Sequence, residues 1–303
     1  MNPQGLMDGL VAGTTIGLGA VGITLTYSIL RFSNFAHGEL ISWGAYFALC
    51  VAALLGAAFG FLTTPIGPFS FGWVLPIAAI AAVALNAVLA LIVDALLFSR
   101  LRARNSTVII MVMASFGAAL TLRNLLEFAF TGKPQYYTSA LQIAIRLGGG
   151  IRATPDQLLA LVVAVAVVGG VHLLLTRTAI GRSMRAVSEN PQLADLAGVN
   201  VRQVIRIVWV LGAGLAAVAG VMAGLLIQIR PEMGLDLLLP LFAAAILGGI
   251  GSVPGAMLAG LIIGISEALA VAAVGAQWRA GVSFVILIAV LLVRPRGLFG
   301  RPE

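Results

Sequence analysis

Apolar residues run along this chain in long blocks rather than in amphipathic stripes. A helix needs about 20 such residues to cross the hydrocarbon core of a bilayer. Six blocks reach that length plainly: 6–30, 35–59, 73–98, 107–130, 157–176 and 204–228. A further apolar stretch, 237–274, is too long for one ordinary span. Gly248-Gly249-Ile250-Gly251-Ser252-Val253-Pro254-Gly255 interrupts it. The last block is 278–293. The pattern predicts an all-α polytopic membrane protein, a single domain over 1–303 with eight or nine transmembrane helices. Two crossings within 237–274 are expected, with breaks or re-entrant turns near 31–39 and 248–255.

Charge placement sets the orientation. Arg100, Arg102 and Arg104 form one cluster, Arg177, Arg182, Arg185, Arg202 and Arg206 a second, and Arg294, Arg296 and Arg301 a third. Basic clusters beside spans mark the cytoplasmic side. Segment 60–72 carries no charge and 131–156 is mixed, so both face outward. The expected topology is N-terminus out and C-terminus in, with 177–203 as the longest cytoplasmic loop.

Composition narrows the class. Only 10% of residues are charged and 60% are hydrophobic, whereas a soluble domain is nearer a quarter charged. The net charge of +7 sits in short clusters between apolar blocks, which is not a basic face that tracks phosphates, so nucleic-acid binding is excluded. The single cysteine, Cys50, lies in an apolar block and reads as a small buried hydrophobe. Residues 6–30 are too long for a signal-peptide core and lack a basic start, so the first block is expected to stay in the membrane. Small-residue pairs at Gly13/Gly17, Gly220/Gly224 and Gly260/Gly264 would let helices approach closely, although pairs arise by chance among 36 glycines.

Catalytic and metal motifs are missing. The lone lysine, Lys133, follows Gly132 but precedes Pro134, so no phosphate-cradling loop forms and ATP is not bound that way. His37 and His172 are far apart, and no zinc or nucleophile-elbow motif occurs. Glu39, Asp94, Glu127 and Glu267 lie in or beside spans, but no two share a short segment with acid/base spacing. No cofactor or metal is expected on this chain.

Two segments carry information instead. Arg31-Phe32-Ser33-Asn34-Phe35-Ala36-His37-Gly38-Glu39 places polar groups between two apolar blocks with no room for a long loop. It reads either as a tight interfacial turn or as a helix break at membrane depth, which is tolerated only where it is buried in protein or lines a cavity. With the later Gly248–Gly255 break it hints at an internal repeat around a central pathway. Asn34, Phe35, His37, Glu39, Gly249 and Gly251 are the candidate pathway residues. Glu39 also suits a purely structural role, since an acid near a helix N-terminus complements its dipole.

The other segment is Arg182 to Asn200, RSMRAVSENPQLADLAGVN. Asn190 is a natural N-cap, Pro191 a natural first helical residue, and Gly198 fits the position past a helix end. A helix of about two turns does not persist alone in water, so its apolar side, Leu193, Leu196 and Ala197, needs a partner surface. Lying on the anionic inner leaflet through Arg182 and Arg185 is the alternative, which the acidic Glu189 and Asp195 weaken.

The run RAVSENPQLADLAGVN closely resembles the cytoplasmic coupling loop of the branched-chain amino-acid permease family. FSNFAHGE and GGIGSVPGA resemble the same family at matching relative positions, and the likeness covers essentially the whole chain. It looks more like the shorter of that system's two permease subunits. The resemblance implies a multi-pass permease domain in a bacterial inner membrane. It implies a paralogous permease as partner in a heterodimer, two ABC ATPases that use the ATP, and a periplasmic substrate-binding protein. The cargo would be leucine, isoleucine, valine or a related small polar solute. Arg185, Glu189, Asn190, Pro191, Leu193, Ala194, Asp195 and Gly198 would be the ATPase-coupling residues. An ion-coupled secondary transporter is the competing class. It would need a relay within the spans, for which Arg123 and Glu127 are candidates, but an ordinary i, i+4 pair accounts for them.

Overall fold

The computed structural model describes residues 3–138, 142–148, 150–294 and 297–299. Arg296 and Arg301 of the third basic cluster fall outside these residues. The helices in chain order are α1 Pro3–Leu30, α2 Ala36–Ala58, α3 Val74–Val93, α4 Ser99–Ala103, α5 Val108–Phe130, α6 Pro155–Arg177, α7 Ala179–Glu189, α8 Pro191–Leu196, α9 Val201–Leu226, α10 Met233–Gly248, α11 Val253–Val274 and α12 Arg279–Val293. Eight apolar helical stretches are long enough to cross a bilayer, and α10 is a ninth, shorter one.

The long stretch 237–274 is therefore two helices. Gly249 and Gly251, at φ +88° and +89°, turn the chain between them. Ser252 caps α11 through the Gly255 N–H at 3.2 Å. α10 has 16 residues, about 24 Å at 1.5 Å per residue, which falls short of a hydrocarbon core of about 30 Å.

Three features differ from the sequence expectation. The third span does not stop at 98 but continues through a π-helical turn, Asp94–Phe98, to Ala103. Arg102 reaches back to Asp94 at 2.7 Å, so the carboxylate in that apolar run is paired. An antiparallel hairpin, β1 Ile145–Gly148 and β2 Ile151–Ala153, stands in the loop after α5. Residues 179–189 form a helix of their own before the expected short one.

α1 is the central post. Of its most apolar window 89% is buried, against 17% for α5 and 6% for the last span, which stay on the outside. Glycines make α1 central. It packs antiparallel on α11, where a Cβ on Gly9 would lie 2.6 Å from the Ile265 Cα and one on Gly13 would lie 2.7 Å from the Leu261 Cα. Gly260 and Gly264 press back on Gly17 and Gly13. In lipid no hydrophobic force drives helices together, so this backbone contact is what holds the pair.

Hydrogen bonds gather the loops at two ends. At one end Gln4 donates to the Arg152 carbonyl at 3.0 Å, the Ser70 hydroxyl donates to Asp156 at 2.5 Å, and Gln135 pairs with Ile229. Tyr137 donates to the Ala45 carbonyl at 2.9 Å; burial pushes its hydroxyl well above the usual range, so it stays a donor. At the opposite end Gly251 lies beside Ser28, the Leu298 N–H donates to the Leu247 carbonyl at 2.7 Å, and the end of α7 meets the end of α1.

Candidate functional site

The segment between α1 and α2 turns back into the bundle rather than standing clear of it. α1 ends at Leu30, yet the His37 ring lies against Gly22, eight residues earlier. At 1.5 Å per residue, the His37 ring reaches a level about 12 Å inside the end of α1. The segment's backbone is buried in protein, as such a turn requires. Phe32 and Asn34 are 2% exposed, and His37 is fully buried.

Neighbouring helices hold the break open. The Phe35 N–H donates to the Ser115 hydroxyl of α5 at 3.1 Å, and the Asn34 Oδ1 accepts from the Ala36 N–H at 3.2 Å. The His37 ring is clasped between Gly22 and Gly212, with the Gly19 backbone beside it, but neither ring nitrogen closes a well-formed hydrogen bond. Asn86 of α3 donates to the carbonyls of Leu40 at 3.0 Å and Ala213 at 2.8 Å, pinning α2 to α9. Glu39 sits in the first turn of α2, 3% exposed, where the helix dipole favours an acid.

Gly249 and Gly251 do not join this cluster. They form the α10–α11 turn at the end of the bundle, Gly249 buried under Gly297 and Gly251 exposed beside Ser28. The two breaks lie at different depths.

The second segment is built as its cap residues demand. The Asn190 Oδ1 accepts from the Gln192 and Leu193 N–H groups, both at 3.0 Å, and Pro191 opens α8. Gly198 follows the helix at φ +85°, and its N–H donates to the Asp195 carbonyl at 2.9 Å. α8 is one and a half turns, 191–196, rather than two. Ala194 packs inward at 5% exposure, whereas Leu193 and Leu196 stand out at 63% and 86%. Glu189 and Asp195 flank them, exposed.

α7 anchors α8 to the bundle. Thr178 caps α7 through the Gly181 N–H at 3.1 Å, Met184 and Val187 are buried, and Arg185 donates to the Leu175 carbonyl at the end of α6. Arg31 supplies the contact that the sequence did not announce. From a left-handed backbone at φ +55°, its Nη2 donates to the carbonyls of Ser188 at 2.6 Å and Glu189 at 3.2 Å. These are final carbonyls of α7, which no further turn can satisfy. One side chain thus joins the end of α7 to the break that leads into α2. Its signal in the sequence was a lone arginine closing an apolar block.

Among the described residues no group of three or more His, Cys, Asp or Glu could hold a metal ion.

Comparison with known proteins gives the family. The family described as branched-chain amino acid transport system / permease component matches residues 5–291. The high-affinity branched-chain amino acid transport system permease protein BraD of Pseudomonas aeruginosa is 35% identical over 99% of this chain and 96% of its own length. The corresponding LivH protein of Escherichia coli is 32% identical over 99% of this chain and 96% of its own. A solved structure, PsaBC from Streptococcus pneumoniae in complex with Fab, superposes with a TM-score of 0.50 and 13% identity, covering 95% of this chain and 91% of that one, which is a likeness of fold alone.

Proposed function

Since the chain belongs to the branched-chain amino acid permease family, we propose that it is one membrane-spanning subunit of an ATP-driven importer for leucine, isoleucine, valine or a related small polar solute. It is a multi-pass membrane permease and not an enzyme. ATP is hydrolysed by two partner ATPases, and cargo arrives on a soluble binding protein. A paralogous permease completes the pathway, in a bacterial inner membrane, with the N-terminus out and the C-terminus in. Family membership favours this reading over the ion-coupled transporter.

The observation that supports the mechanism is the exposed pair Leu193 and Leu196 on a capped helix that is held out from the bundle. Burial in a groove of an ATPase would stabilise by about 1.5–3 kcal/mol for each leucine, and Arg185, Glu189 and Asp195 would orient the contact at its rim. Closure of the ATPases then moves α8 and α7, Arg31 carries the movement to the break at 31–35, and α2 shifts beside the pathway. Asn34, Phe35, His37 and Glu39 lie on that moving element, with the Gly249–Gly251 turn as a hinge at the end of the bundle.

The test is Leu193→Asp and Gly198→Pro. The first places a charge in the groove; the second removes an N–H that is hydrogen-bonded and a φ that proline cannot adopt. Both variants should insert in the membrane normally yet fail to retain ATPases on purification, with uptake lost. Normal assembly and uptake in both would remove this segment from the coupling role.

A further inference from the structure

Among the described residues, the arginines at the end that holds the hairpin are of two kinds. Arg230 pairs with Asp236 at 3.3 Å and Arg279 with Glu267 at 2.9 Å. Arg146 and Arg152 are exposed and pair with no acid. Yet these two stand directly opposite each other, Arg146 on β1 and Arg152 on β2. Like charges opposed across an antiparallel pair repel. The acids of the adjoining helices are engaged elsewhere. Asp8 of α1 accepts from Gln4 at 3.0 Å, and Asp156 of α6, 4% exposed, accepts from Ser70 and Gln142.

The hairpin is a fixed platform for this pair. The Gln4 side chain clasps the Arg152 backbone from α1, its Oε1 accepting from the N–H at 2.8 Å and its Nε2 donating to the carbonyl at 3.0 Å. One residue past β2, Thr154 and Gln157 form the reciprocal cap that opens α6. Side chains alternate across a strand, so Ile145 and Ala153 share the other face. Ala153 is wholly buried with Met7 and Val11 of α1, and Ile145 lines an apolar hollow of about 350 Å³ with Phe69, Leu158 and Val162. With that face turned to the bundle, Arg146 and Arg152 point away from it. They are carried at the start of α1, the most enclosed span, and not on the outer spans α5 and α12. That place favours an acid arriving from water over a lipid headgroup.

We propose that Arg146 and Arg152 form the docking point for the importer's soluble binding protein and receive an acidic patch on its surface. The proposal rests on the import reading above, which puts this end outside and brings cargo on that protein, and it adds where the two meet. The planar guanidinium fork matches a carboxylate. A cationic pair that its own subunit leaves unneutralised also steers an acidic partner before contact.

The experiment measures association of the leucine-loaded binding protein with the purified permease–ATPase complex in phosphatidylcholine nanodiscs. Arg146→Gln with Arg152→Gln should slow association at least about tenfold at low ionic strength and flatten its salt dependence. Arg146→Lys with Arg152→Lys, which keeps both charges, should retain most of the rate and the salt slope. Assembly and basal ATP hydrolysis should not change, since both side chains are exposed. Should the double Gln variant fail to assemble, Arg146→Gln alone decides by the same salt series, with a loss of about threefold expected. Wild-type association and salt dependence in the assembled Gln variant overturn the docking point. Equal loss in the Lys and Gln variants overturns it in favour of a role for the hairpin's shape. A difference seen only in nanodiscs that contain phosphatidylglycerol overturns it in favour of a lipid headgroup. Failure of the import reading would look different: the unsubstituted complex would neither bind the protein nor hydrolyse ATP faster in its presence.

Discussion

Asn86 lies in the middle of α3, in an otherwise apolar run, and is wholly buried. Its side-chain amide is the one polar group in that helix that grips two neighbours at once, through the Leu40 and Ala213 carbonyls. Those residues frame the clasp around His37: Leu40 follows it by one turn, and Gly212 precedes Ala213. Asn86→Leu keeps the branched shape and removes both donors. Interhelical hydrogen bonds in membranes are worth about 0.6 kcal/mol on average and up to about 1.7 kcal/mol, so two of them set an expected loss of about 1–2 kcal/mol. Thermal unfolding of the purified complex in detergent should show it as a lowered midpoint, and transport should fall with it because α2 loses its register on α9. An unchanged midpoint would mean that Asn86 is held by its neighbours rather than holding them.

At the scale of elements, the import reading makes the linkage α8–α7–Arg31–α2 the proposed transmission line. Every joint in it is a helix end. Asn190 satisfies the first N–H groups of α8, Thr178 those of α7, and Arg31 the last carbonyls of α7. Arg31→Ala should leave the spans and the α8 docking surface intact. The expected phenotype is therefore a complex that assembles and hydrolyses ATP but imports several-fold less leucine per ATP, measured as the uptake-to-hydrolysis ratio in proteoliposomes. A wild-type ratio would place the coupling elsewhere. How much of this was legible in the sequence follows from the range of the interactions. The caps at Asn190, Pro191 and Gly198 and the split of 237–274 depend on neighbours within a few residues, and the sequence pattern carries them. The depth at which α2 begins depends on Ser115, Gly22 and Gly212, and the Arg31 contact spans 157 residues; neither has a local signature. The hairpin at 145–153 was hidden for another reason: its strands are only four and three residues long, inside a segment read only as a mixed outward loop. Glu39 was visible as an acid near a helix start, but its burial needed the packing of neighbouring helices on α2.

For the whole molecule, the sorting of loops to two ends allows orientation to be tested with few substitutions. One end gathers Gln4, the 64–72 loop, the hairpin and the Gln135–Ile229 bridge; the other gathers Arg31, α7, α8 and the Gly249–Gly251 turn. Arg100, Arg104, Arg177, Arg182, Arg202 and Arg206 all belong to the second end, where short loops make their charge decisive. The first end carries Lys133, Arg146, Arg152, Arg230 and Arg279, fewer and more dispersed, with acids that contribute little to the rule. The second end should therefore face the cytoplasm. Ser70 would be a poor outside probe despite its charge-free loop, because it is buried and bonded to Asp156. Lys133 and Gln192 are exposed at opposite ends. In a Cys50→Ala background, Lys133→Cys should react with a membrane-impermeant maleimide in intact cells, and Gln192→Cys only after the membrane is opened. The reverse pattern would turn the subunit over and put α8 on the wrong side to meet an ATPase, so a single labelling experiment bears on the topology and on the coupling mechanism together.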